Sequence, residues 1–171
     1  MPAMLRFTNI SDEDLEALSR DNPGWQLERN DCGTLILSPT SSEDGARSAE
    51  ALVQLALWSR SGPGGKVFDS STGFRLPDGS VLSPDAAWIS PETLAKLPPA
   101  ARRKFWPVAP DVVVELRSET DAWPDVQQKI RRYAANGAAY AIAIDRYRRD
   151  TFELGTAPHG LSFEIDAIIE A

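Results

Sequence analysis

The sequence contains a single cysteine, Cys32, and a single histidine, His159, in 171 residues. One thiol excludes an internal disulfide and suits a reducing, cytoplasmic setting. One histidine, lodged in the Gly- and Pro-flanked stretch 155–160, makes a histidine-rich metal site or a Ser-His-Asp triad hard to assemble. No apolar run reaches eighteen residues, so a membrane-spanning helix is not expected, and the first residues lack the charged and apolar regions of a signal peptide. The glycine-rich stretch Gly62-Pro63-Gly64-Gly65 lacks the Gly-Lys-Ser/Thr ending of a phosphate-binding loop. Positive charge is short as well. The net charge of −7 argues against a protein that coats nucleic acid nonspecifically. Of the 18 basic residues most are arginine, and several cluster: Arg102, Arg103 and Lys104, then Arg131 and Arg132, then Arg146, Arg148 and Arg149. Such ground either contacts phosphates or is a solvated surface.

What is present is an ordinary globular pattern in which several elements can be read. Hydrophobic residues make up 42% and charged residues 25%, enough for a single domain over 1–171 with its core at about 25–165. Residues 11–20 read as a short helix capped by Ser11, with Asp14 in its first turn. Residues 25–38 read as a hairpin turning at Asn30-Asp31-Cys32-Gly33. A second helix is expected over 43–60, with Ala49, Leu52, Val53, Ala56 and Leu57 as its inward stripe. Two strands, 67–76 and 81–89, are expected on either side of the turn Pro77-Asp78-Gly79-Ser80. After short helical turns over 91–106, Val112 to Leu116 is a near-continuous apolar run, the mark of a strand buried on both faces. A helix over about 122–136 stops at Asn136-Gly137, and Ala139 to Ile144 is another buried strand. Strand, helix and strand from 112 to 144 imply one crossover unit, and 151–154 and 161–165 read as edge strands or a hairpin. The fold class expected is α/β with a mixed sheet.

Against this background a few residues are out of place. Glu115 is a carboxylate inside Val-Val-Val-Glu-Leu, costly to bury unless it is paired or binds a cation. Alternation puts Val113, Glu115 and Arg117 on one face, and Val112, Val114 and Leu116 on the other. An ion pair with Arg117 or another base is the structural alternative. Asp85 follows Pro84 and precedes the apolar Ala86-Ala87-Trp88-Ile89; it reads either as a turn aspartate or as a second acid beside Glu115. Lys129 flanks the inward stripe Val126, Ile130, Tyr133, from which its long stem can reach either solvent or a polar pocket at the sheet. Glu50 flanks the stripe of the 43–60 helix and is either a solvated glutamate or a further acid. Two carboxylates at adjacent strand ends can hold Mg²⁺, a hard cation that takes oxygen ligands and keeps several waters.

These residues resemble the Uma-two family of restriction endonuclease-like proteins. The resemblance covers most of the chain. It rests on the stretch from Phe68 to Gly79, on Ser83 to Trp88, and on Ala109-Pro110-Asp111-Val112-Val113-Val114-Glu115-Leu116-Arg117-Ser118. It continues through Lys129, Tyr133, Asn136-Gly137 and Ile144-Asp145. The family looks like a branch of the PD-(D/E)xK nucleases, which implies one restriction-endonuclease-like domain, a mixed sheet flanked by helices, and metal-dependent phosphodiester cleavage. On that similarity Asp85 matches the motif aspartate and Glu115 the second acid. Position 117, which would hold the usual lysine, is Arg117 here. Arginine stays protonated and can clamp phosphate but cannot act as a base. Lys129 fits the place of a lysine moved to the next helix, and Glu50 that of an acid on the first core helix. Asp44-Gly45 departs from the His-Gly of many members.

The resulting expectation is a Mg²⁺- or Mn²⁺-dependent endonuclease acting on DNA. Asp85 and Glu115 bind the metal, Lys129 positions water, Glu50 assists and Arg117 steadies the phosphate. The alternative is an inactive nuclease fold used for binding or self-assembly. A homodimer is expected under either reading, since symmetric dimers are the commonest soluble assemblies, and no membrane association is expected.

Overall fold

The computed structural model describes residues 10–39, 42–99 and 105–171. Its N-terminal part follows the local signals closely. Helix α1 (Asp12–Asp21) starts at Ser11, whose hydroxyl accepts the Asp14 N–H at 3.1 Å and supplies one of the partners a helix start lacks. Strands β1 (Trp25–Arg29) and β2 (Leu35–Pro39) form the expected antiparallel hairpin. The Asn30 side-chain carbonyl ties its turn by accepting the N–H groups of Cys32 and Thr34. Leu15, Leu27, Leu35 and Val81 bury a small core between α1 and this sheet.

Helix α2 (Ser42–Ser61) follows, then β3 (Lys66–Asp69), β4 (Phe74–Arg75), β5 (Val81–Leu82), β6 (Ala86–Ile89) and the short α3 (Pro91–Lys96). The chain continues through β7 (Val112–Leu116), α4 (Trp123–Ala135), β8 (Tyr140–Asp145), β9 (Asp150–Gly155) and α5 (Ile165–Glu170). Two sheets result. One is four-stranded in the order β2-β1-β5-β4; the other is five-stranded in the order β3-β6-β7-β8-β9. In the larger sheet β7 and β8 are parallel, joined over α4, and the remaining pairings are antiparallel. It is therefore the expected mixed sheet. Val113 faces a core with Ile130 and Tyr133 of α4, while Val112 and Val114 face a second core with Ala51 and Leu55 of α2. Burial on both faces explains the apolar runs of β7 and β8.

Three expectations are corrected. The runs 67–76 and 81–89 are not two continuous strands. Each breaks in its middle, so that β3 and β6 belong to the larger sheet and β4 and β5 to the smaller one. The first break is fixed by Asp69, whose carboxylate accepts the Ser71 N–H and hydroxyl; the second falls at Ser83-Pro84-Asp85, where proline has no N–H for a ladder. The run 161–165 is not a strand, and the chain instead enters α5 at Ile165. In α2 the buried line is Arg47, Ala51, Leu55 and Ser59, whereas Val53 and Leu57 of the expected stripe are exposed. Ser59 is accommodated in that line by a hydrogen bond, the Trp88 indole N–H reaching its hydroxyl and the Gly64 carbonyl.

At the far edge, Gly155 ends β9 opposite Tyr140 with φ +85°, and a methyl group there would run into the Ala139 carbonyl. Gly155→Ala is expected to destabilise the protein by about 1–3 kcal/mol, because strained backbone and overlap act together. Thermal unfolding followed by circular dichroism checks this; an unchanged melting temperature refutes it.

Candidate active site

The site forms where the chain passes between the two sheets. Ala86 pairs with Val114 across β6 and β7, so the residues next outward, Asp85 and Glu115, emerge at the same end of the sheet. Asp85 is half-buried. One of its carboxylate oxygens accepts the Leu116 N–H at 2.7 Å and the other the Ser48 hydroxyl of α2 at 3.0 Å. Glu115 is only 5% exposed and lies on the α4 side of the sheet. Lys129 reaches it from α4, as its flanking position allows: Nζ lies 2.8 Å from Oε1 and donates to Oε2 at 3.0 Å. The same nitrogen donates to the Ser83 carbonyl at 3.3 Å.

A further carboxylate was not foreseen. Glu28 of β1, 7% exposed, stands 2.8 Å from Lys129 Nζ, and its Oε1 accepts the Ser83 N–H at 2.6 Å. Alternation along Trp25-Gln26-Leu27-Glu28-Arg29 does separate Leu27 from Gln26 and Glu28. In a hairpin expected to have one wet face, that polar side reads as solvent-facing. Only the docking of the smaller sheet against the Ser83-Pro84-Asp85 segment turns it inward.

Two carboxylates thus contact one ammonium, and Asp85 adds a third acidic group near enough to interact with both Glu115 and Lys129 electrostatically. Burial pushes the Glu115 carboxyl well above its ordinary value, and the charges of Asp85 and Glu28 add to this while Lys129 opposes it. Burial also raises Asp85, against the pull of the Leu116 N–H, Lys129 and Ser48. For Lys129, burial acts to lower the ammonium, but Glu115 and Glu28 outweigh it and hold the group above its usual value. Lys129 is therefore a fixed cation at neutral pH and a hydrogen-bond donor, not a base. Tyr133, one turn along α4, points its buried hydroxyl toward Glu115, and burial followed by that negative charge raises it well above an ordinary phenol.

The donor chemistry fits a hard divalent cation. Glu115 Oε1 lies close to Lys129 but off its hydrogen-bonding direction, and it has no hydrogen bond among the described residues. Asp85 keeps a lone pair on each oxygen, and the surplus negative charge of the cluster favours a cation. Carboxylate oxygens without thiolate or imidazole suit Mg²⁺ or Mn²⁺ better than Zn²⁺. No group of three or more His, Cys, Asp or Glu side chains has metal-holding geometry among the described residues. Mg²⁺ needs only one or two carboxylates with water completing its shell.

The other expected site residues lie apart from this cluster. Glu50 accepts from Gln54 at 2.9 Å, and Gln54 in turn meets the Glu164 backbone near α5. Each helical residue turns about 100°, so Glu50 stands about 160° around α2 from Ser48, which touches Asp85. The displaced stripe of α2 accounts for this. Arg117 points toward the next strand: it donates to the buried Asp145 at 2.8 Å and to the Asp121 carbonyl at 3.0 Å. The structural alternative of a Glu115–Arg117 pair is replaced by two separate pairs, Glu115–Lys129 and Arg117–Asp145. The side chain of Asp44, in the Asp44-Gly45 pair, and residues Arg102, Arg103 and Lys104 lie outside the described part of the structure. Asp111, which also follows a proline, accepts from Ser90 and Thr93 at the start of α3, at a different place from Asp85.

A helix packed on three antiparallel strands, then a helix leading to a parallel fourth, defines a restriction-endonuclease-like fold. A crystal structure from Anabaena variabilis, described as "a putative nuclease belonging to DUF820", is similar to this chain with a TM-score of 0.65. Identity is 15%, over 84% of this chain and 89% of that one. The sequence profile of the Uma2 family, described as "Putative restriction endonuclease", matches residues 12–160, and the chain belongs to this family. No protein of curated function matches the sequence. No described helix is long and apolar enough to cross a membrane.

Proposed function

We propose that this protein hydrolyses DNA phosphodiester bonds with the help of Mg²⁺ or Mn²⁺. One observation carries the reading: Asp85 and Glu115 meet at adjacent strand ends with the Lys129 ammonium 2.8 Å from Glu115. Asp85 and Glu115 would hold the metal. Bound there, a divalent cation would neutralise charge on the scissile phosphate and ease the deprotonation of water. Lys129, held charged, would orient the attacking water and stabilise negative charge as it develops. Arg117, through donors beyond those it gives to Asp145 and Asp121, would steady the phosphate. Membership of a family described as restriction endonuclease supports nucleic acid as the substrate class.

The test is incubation of purified wild type with supercoiled plasmid in Mg²⁺, in Mn²⁺ and in EDTA. Nicking in either metal and none in EDTA is the expected result. Absence of nicking, with no heat of metal binding by calorimetry, would favour the second reading, a nuclease fold kept for binding or self-assembly. The exposed Val53 and Leu57 on α2 are the observation on its side.

A further inference from the structure

We infer that Glu28 is a positioning residue that holds the Lys129 ammonium and the Ser83-Pro84-Asp85 segment in one fixed frame, and so belongs to the site although it comes from the other sheet. The inference rests on the proposed nuclease reading for its purpose, but not for its geometry. A lysine stem has four carbons and several rotatable bonds, so one carboxylate partner leaves its head free to swing. Here the head is gripped from two sides, at 2.8 Å by Glu115 and at 2.8 Å by Glu28. The oxygen of Glu28 that meets Lys129, Oε1, is also the one that accepts the Ser83 N–H at 2.6 Å. Gln26, two residues earlier on the same face of β1, donates to the Ser83 carbonyl at 2.7 Å. Both backbone polar groups of Ser83 are therefore fixed by β1, two residues before Asp85.

The frame is stiff because β1 is. All five of its residues pair with β2, Arg29 pairs with Val81 just ahead of Ser83, and Leu27 on the opposite face is buried in the small core. A purely structural ion pair would need none of this convergence on the aspartate segment. Glu28 does not replace either proposed metal ligand, since its near oxygen is already committed to Lys129 and Ser83. Its role is to set where the ammonium stands relative to Asp85 and Glu115.

The experiment compares wild type, Glu28→Gln and Glu28→Asp. Glutamine keeps an acceptor for Ser83 but removes the charge; aspartate keeps the charge on a shorter stem. The first readout is the rate of reductive methylation of each lysine, mapped by mass spectrometry. In wild type Lys129 should be shielded while the exposed Lys66 and Lys96 react. In Glu28→Gln the Lys129 rate should rise about tenfold, equivalent to about 1.4 kcal/mol of lost restraint, with Lys66 and Lys96 unchanged. Glu28→Asp should recover part of the shielding. The second readout is plasmid nicking, where Glu28→Gln should lower kcat by about a hundredfold with KM for DNA unchanged, the effect of a misplaced reacting group.

Lys129 reacting as fast as Lys66 in wild type overturns the inference without any variant. So does unchanged shielding in a folded Glu28→Gln protein, whether or not the wild type nicks DNA. Selective loss of shielding with no nicking by wild type upholds the positioning role and overturns the nuclease reading instead.

Discussion

Asp85→Ala should reduce metal-dependent nicking of supercoiled plasmid by at least about a thousandfold, because several kcal/mol of charge stabilisation depend on the cation it would hold. The effect on folding should be small by comparison, since two changes of opposite sign meet there. Loss of the carboxylate leaves the Leu116 N–H without its acceptor, which costs about 1–3 kcal/mol if water does not replace it. It also removes a charge that burial and Glu28 already disfavour. Asp85→Asn separates these contributions, because the amide oxygen can still accept from Leu116 while the negative charge is gone. If Asp85→Asn is folded and inactive, charge at this position is what the reaction needs. Nicking at the wild-type rate by either variant, in a preparation free of contaminating nuclease, would end the assignment.

Lys129→Met should have the largest effect on stability. It leaves Glu28 and Glu115 facing each other, nearly buried, without a counter-charge, and breaking a buried pair in this way costs about 3–5 kcal/mol. For a protein of this length that lowers the melting temperature by roughly 6–20 °C. The pH dependence gives a sharper check. Glu115 has a folded-state value raised by burial, so its ionised form opposes folding, and the folded protein takes up a proton before the unfolded chain does as pH falls. The deficit of Lys129→Met should therefore shrink as pH is lowered from neutrality toward the ordinary glutamate value of about 4.3. In wild type the contribution of Lys129 has the opposite sense: it is fully present below the ordinary lysine value and is lost only as pH rises through the higher folded-state value. A deficit that does not change with pH would show that the variant fails through packing alone.

Much of the architecture was legible because local chemistry and tertiary environment agree. Ser11 caps α1, Asn30 organises the hairpin turn, and the unbroken valine run of β7 is buried on both faces as such runs are. The helix between β7 and β8 shows its inward face in Val126, Ile130 and Tyr133, a phase that puts Lys129 on the flank, where its stem can reach either solvent or the sheet; the contact with Glu115 decides for the sheet. What failed to read were features decided by contacts distant in sequence. Residues 67–76 and 81–89 each carry breakers, Asp69 to Gly73 and Ser83-Pro84-Asp85, but nothing local says that the pieces on either side of a break join different sheets. Glu28 pairs with Lys129 and sits beside Ser83, partners found only after the smaller sheet docks. The inward stripe of α2 was misplaced in phase, since Ala51 and Ser59 carry the buried line and Val53 and Leu57 do not, so the direction of Glu50 could not be read from that stripe.

Glu28 and Glu115 are anchored in different sheets, and this joins the lifetime of the site to that of the boundary between them. Proteins open locally in cooperative units well below their global unfolding free energy. A unit made of α1, β1 and β2, which meets Val81 of β5 through one small core, is suited to such opening. Were it to swing away, the five-stranded sheet could stay folded while the ammonium lost its second anchor. Amide hydrogen exchange in β1 would then measure how long an assembled site persists, and ligands that slow that exchange would be those that span both sheets.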